Sequence, residues 1–181
     1  DDKKPNITRF LVPQIQELSD LGFHIDLFPS KNDYYLKYKS IKNVSVHEKL
    51  SPDKLIKTLS QYDFGLTIVN QNCDNMPDEL KFGFWNKSFD YLMAGIPQIT
   101  LVEFDTMSNF VTENNFGFSI ERLNDLDNHK YLSPIKRKEY LHQILSNREK
   151  WLMESNIKRM RKFYIDVIKY YHTKQIDKLL K

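Results

Sequence analysis

Hydrophobic positions change period along this chain. Between His24 and Ile120 they gather in short runs bounded by turn residues: His24-Ile25-Asp26-Leu27-Phe28, Val44-Ser45-Val46, Phe64 to Val69, Gln98 to Val102 and Phe118-Ser119-Ile120. Runs of this length, rich in β-branched and aromatic residues, predict strands. The segments between them carry apolar residues at helical spacing, and from Ser133 onward the pattern is helical throughout. There Leu141, Ile144 and Leu145 make one stripe, and Ile157, Met160, Tyr164, Val167, Ile168 and Tyr171 make another. Strands alternating with helices predict an α/β domain with a doubly wound, mostly parallel sheet and a helical C-terminal extension. The expected division is residues 1–130 for the α/β domain and 131–181 for helices packed on it in a single structural unit.

Punctuation residues place the helices. Trp85 to Pro97 reads as one helix and its stop: Asn86 or Ser88 caps the start, Phe89, Leu92 and Met93 recur at helical spacing, Gly95 suits a left-handed terminus, and Pro97 blocks continuation. Ser51, Pro52 and Asp53 supply a cap, a first-turn proline and a first-turn acid for a helix to about Gln61. Tyr34 to Tyr38 reads as a short helix, and Thr106 as the cap of a helix that reaches Asn115 and ends at Gly117. Asn70 to Trp85 is the longest irregular stretch. Ile7 to Val12 has two readings. It is a strand ahead of a helix from Pro13 to Leu21, closed by Gly22, or part of one helix from Asn6 to Leu21 burying Phe10, Leu11, Ile15 and Leu18. In the second reading the interior proline costs about 3 kcal/mol.

Composition narrows the class. A chain of 181 residues, 40% hydrophobic and 13% aromatic, has material for one domain with a real core. No apolar run approaches the roughly 20 residues of a membrane span, and nothing at the start reads as a signal peptide. The lone Cys73 cannot form an internal disulfide, which fits a reducing, cytoplasmic setting. The net charge is only +3, yet residues 136–181 hold 13 Lys or Arg against 5 Asp or Glu. A basic helix with an apolar stripe suits the surface of an anionic membrane, and it equally suits a solvated face with its stripe packed inward. No nucleic-acid-binding module accompanies the charge. The five histidines are scattered and lack zinc-ligand spacing. Phosphate-loop and dinucleotide glycine fingerprints are absent, as are a serine nucleophile elbow and an Asp-x-Asp pair for a metal-bound nucleotide.

The most informative chemistry lies where the Phe64 to Val69 strand hands over to the Trp85 helix. A βαβ unit starts its helix beside the carboxyl end of the first strand, the end at which open parallel sheets bind ligands. A helix start attracts phosphate, Lys87 adds a full charge there, and Asp90 one turn on is able to accept two hydrogen bonds from a sugar diol.

The run Asn86-Lys87-x-Phe89-Asp90-Tyr91-Leu92-x-Ala94-Gly95-Ile96-Pro97 resembles the donor-binding segment of glycosyltransferases with the GT-B architecture. Asn43 to His47, Leu50 to Leu55, Tyr62 to Leu66 and Met107-Ser108-x-Phe110-Val111-x-x-Asn114-x-Phe116-Gly117 extend the resemblance over residues 20–125. It implies a Rossmann-like C-terminal, donor-binding half of a glycosyltransferase of the kind that builds bacterial surface polysaccharide or glycoconjugates. It also favours the single-helix reading of residues 6–21. The donor would be a nucleoside diphosphate sugar, with no cofactor or metal. The acceptor would be held by an N-terminal domain outside this chain, and no catalytic residue is assigned, so these residues alone would bind donor and transfer nothing.

Carried over residue by residue, Lys87 with Asn86 and Ser88 would anchor the diphosphate, and Asp90 would take the ribose-binding place of a family glutamate that is one methylene longer. His47 would meet the base or serve as a turn residue. Trp85, Phe84 and Asn70 would flank the donor or pack, with packing favoured for the two aromatics, and Met107 and Ser108 would lie near the sugar. Phe82 stands where many members carry another glutamate. The alternative is a non-catalytic α/β module whose basic C-terminal helix docks an anionic membrane or a partner protein. The expected location is cytoplasmic, including the inner membrane face.

Overall fold

The computed structural model describes residues 10–29, 35–70, 78–127 and 130–179. Five short strands are each parallel to their neighbours. β1 (Ile25–Leu27) pairs with β2 (Val44–Val46), Ile25 opposite Val44. β3 (Gly65–Thr67), β4 (Gln98–Leu101) and β5 (Gly117–Ile120) form a second sheet in that order, with Gly65 opposite Gln98 and Gln98 opposite Gly117. The helices are α1 (Val12–Asp20), α2 (Tyr35–Lys39), α3 (Pro52–Leu59), α4 (Asp78–Lys81), α5 (Asn86–Ala94), α6 (Asp105–Glu113), α7 (Pro134–Asn147) and α8 (Met153–Leu179). Parallel neighbours need a crossover, and α5 and α6 supply it between successive strands of the larger sheet. The result is a mixed α/β architecture of two small parallel sheets with a helical C-terminal end. Two compact units divide it, Asp1–Leu145 and Ser146–Lys181.

The core of the first unit is built on β4. As the middle strand it is covered on both faces, so Gln98, Ile99, Thr100 and Leu101 are all buried. The Gln98 amide offsets its own desolvation by donating from Nε2 to the Ser88 carbonyl at 3.1 Å. Leu92 from α5, Met107 and Val111 from α6, and Phe104 and Phe116 beside them are completely enclosed. Each such side chain contributes about 1.5–3 kcal/mol.

The five strands predicted between His24 and Ile120 are present, although β1, β3 and β4 are shorter than their hydrophobic runs. Phe64, Ile68 and Val69 lie outside the β3 ladder although Ile68 and Val69 are buried. A hydrophobic run records burial, whereas a ladder also needs a partner backbone. Pro13 lies in the first turn of α1 but is its second residue, since the helix opens at Val12, and Gly22 follows the helix at φ +89°. Phe10 and Leu11 precede α1 without regular structure and Val12 is already helical, so neither the strand reading nor the one-helix reading holds there; residues 7–9 lie outside the described residues.

Several predicted helix ends need correction. Neither Asn86 nor Ser88 caps α5: the N-cap is Trp85, in an extended conformation, with no side-chain cap. Ser51 does occupy the α3 N-cap, although its side chain makes no capping bond. Phe104 takes the N-cap of α6, and Thr106 instead donates to the Phe82 carbonyl at 2.9 Å. The left-handed turn after α6 falls on Asn115, at φ +54°, while Gly117 opens β5. The irregular stretch from Asn70 contains α4, with residues 71–77, Cys73 among them, outside the described residues. On α7 the buried pair is Tyr140 and Ile144, with Leu141 and Leu145 exposed, so the stripe lies one position earlier than predicted.

Gly117 has a steric reason. A Cβ there would stand 1.9 Å from the Gln98 carbonyl oxygen, at φ +154°. Gly117→Ala should therefore lower stability by roughly 3 kcal/mol in urea unfolding. Gly22→Ala, with positive φ but nothing within 4 Å of the added carbon, should cost only about 1–2 kcal/mol. Equal losses would contradict the clash.

Candidate functional site

The start of α5 is held from three sides. Trp85 packs on the buried Phe104, ring centroids 4.8 Å apart, and its backbone N–H points to the Met107 sulfur at 3.5 Å. Phe84 stacks on Phe89 at 5.1 Å and meets Phe110 edge-on at 4.6 Å. Ser88 is fully buried, its hydroxyl 3.8 Å from the same sulfur. Asn86 is exposed and Lys87 partly so. The Lys87 ammonium lies 5.0 Å above the Trp85 ring, a cation–π contact that holds the charge beside the first helical turn. The indole N–H of Trp85 is buried without an acceptor among the described residues.

Farther along α5, Tyr91 locks the helix to the sheet. Its ring fills the space a Gly65 Cβ would need, with Cγ only 2.5 Å from that position, and its hydroxyl donates to the Leu66 carbonyl at 3.0 Å. Burial, then the nearby Asp90 charge, pushes the Tyr91 hydroxyl pKa up. Burial also raises the Asp90 carboxyl above its ordinary value. Desolvation disfavours both charged forms.

The predicted site residues fall in three places. Trp85, Asn86, Lys87, Ser88 and Asp90 share α5 and its cap. Asn70, just past β3, is buried and accepts from Gln14 Nε2 at 2.8 Å, which ties α1 to the end of that strand. His47 directly follows β2 of the two-stranded sheet, where Nε2 donates to Asp26 Oδ1 and the ring stacks on Phe28 at 4.8 Å. His24 Nε2 stands 3.7 Å from the other Asp26 oxygen. The Tyr62 hydroxyl also donates to Asp26, and burial followed by that carboxylate raises its pKa. His47 is thus a positioned side chain just past the end of β2.

Met107 and Ser108 turn inward, Ser108 donating to the Ser119 hydroxyl at 2.8 Å. Phe82 is exposed, with the Lys81 ammonium 5.1 Å over its ring.

Sequence reasoning missed Asp26, Phe28 and Gln14. The first two were within reach: strand alternation puts His24, Asp26 and Phe28 on one face of β1, and register sets Asp26 opposite Ser45, two residues before His47. Gln14 carried no local signal, because its partner lies 56 residues away.

A tyrosine with a raised pKa contributes stability that is complete below its unfolded value near 10 and is lost as pH climbs toward the folded value. Tyr91→Phe should cost about 0.5–1.5 kcal/mol at neutral pH through the lost hydrogen bond. Between neutrality and strongly alkaline pH it should lose less stability than the parent. Parallel stability–pH curves for the two proteins would contradict this assignment.

No curated protein matches the chain. A family described as glucosyltransferase 3-like, C-terminal domain, matches residues 13–161, from α1 into α8 and across the whole α5 region. With most of its length covered, the chain belongs to the family of glucosyltransferase 3-like C-terminal domains.

Proposed function

We propose that these residues form the donor-binding half of a GT-B-like glycosyltransferase and take a nucleoside diphosphate sugar at the start of α5. On this reading the two parallel sheets are parts of one Rossmann-like, doubly wound arrangement. The acceptor and any general base come from an N-terminal domain.

The observation that carries this reading is the charge at the start of α5. The first turn of α5 has N–H groups without intrahelical acceptors and the positive end of the helix dipole. Lys87 is held over Trp85 at that turn, and the buried Trp85 indole N–H lacks an acceptor among the described residues. A diphosphate would meet all three. Its negative charge grows as the glycosyl bond breaks, so a fixed cation and preoriented dipoles stabilise the leaving group more than the bound donor. Asp90, one turn along, would accept from the ribose hydroxyls, which favours its ionised form against the desolvation it suffers. His47, oriented by Asp26 and backed by Phe28, would offer a flat imidazole to the base. Family membership supports the transferase class.

Calorimetric titration of the chain with UDP, GDP and CDP tests this. One nucleotide should bind, and Lys87→Ala should weaken it about tenfold, equivalent to about 1.4 kcal/mol. Absence of binding by all three, or a Lys87→Ala variant that binds as tightly as the parent, would overturn the assignment.

A further inference from the structure

α8 keeps in water the surface that a helix ordinarily hides. Ile157 is 57% exposed, Phe163 63%, Tyr164 58%, Ile168 56% and Tyr171 65%. At about 100° per residue, these side chains and those of Met153, Met160, Val167 and Tyr170 share one broad arc. Arg159 stands at one border of the arc and Arg161 at the other, and Lys158, Lys162 and Lys169 occupy the opposite face. Apolar surface this continuous marks a docking site. No helix among the described residues is long and apolar enough to cross a membrane.

Charge selects the occupant. Residues 153–181 hold 8 Lys or Arg against 3 Asp or Glu, while the rest of the chain is net −2. Two copies of α8 face to face would oppose the same positive excess. An anionic lipid surface satisfies both halves of the helix: the arc enters the acyl boundary, tyrosine rings sit at the headgroup level, and border arginines reach up to lipid phosphates along their methylene stems. We propose that α8 docks this protein on an anionic lipid surface, lying in the plane of the interface. The inference is independent of donor binding.

Sedimentation of residues 1–181 with vesicles separates the possibilities. The protein should pellet with phosphatidylcholine–phosphatidylglycerol vesicles, stay in solution with phosphatidylcholine alone, and be released as salt screens the attraction. Arg159→Gln with Arg161→Gln should weaken binding about tenfold or more. Tyr164→Gln with Ile168→Gln, which keeps helix-forming residues and all the positive charge, should also abolish pelleting, with circular dichroism confirming that the fold is intact. Pelleting with neither vesicle, equal pelleting with both, or persistence of binding when Tyr164 and Ile168 are both replaced would overturn the proposal. Self-association in sedimentation velocity without vesicle binding would overturn it in favour of a second copy.

Discussion

The contact between Tyr91 and Gly65 sets the geometry of the first unit. A ring lying where a side chain would otherwise project allows α5 to settle directly onto β3, and the phenolic hydroxyl satisfies a backbone carbonyl of that strand. With the helix held this closely, its first turn is placed by the short α5 axis and by the packing of Trp85 against Phe104 and Met107. Any larger residue at position 65 would lift α5 off the sheet, and the charge at its start would move with it.

From that constraint follows a division of labour along one helix. Ser88 and Leu92 face the core and stabilise it, Tyr91 fastens the helix to β3, and Lys87 and Asp90 remain on the wetter side. Gln98 joins the two levels, since the amide that satisfies Ser88 belongs to the central strand of the sheet. The Asp26 cluster has a similar construction at smaller scale: one partly buried carboxylate receives His47 and Tyr62 and has His24 close by, fixing side chains that the strands alone would leave mobile.

α8 follows a different physical logic. Its apolar residues recur at helical spacing as clearly as those of α5, yet the arc on α8 stays exposed. Periodicity states that a helix has an apolar face; it does not state what covers that face. The same limit explains the shift on α7 from the predicted Leu141–Ile144–Leu145 stripe to Tyr140 and Ile144, because one position of rotation changes little in the pattern and everything in burial.

What the amino-acid order determined by itself was local. The five strands and the chief helices, the stop at Gly95, where φ is +75°, and the charge at Lys87 arise from periodicity, cap chemistry and proline placement, which act over a turn or two. Through the same residues the family resemblance became legible. Tertiary structure alone decided that the cap of α5 is Trp85, that Gly117 yields to the Gln98 backbone, that Asn70 is engaged by Gln14, and that Asp26 organises His47. Each of these depends on groups that meet only after the chain has folded, because burial and hydrogen-bond pairing are properties of neighbours in space.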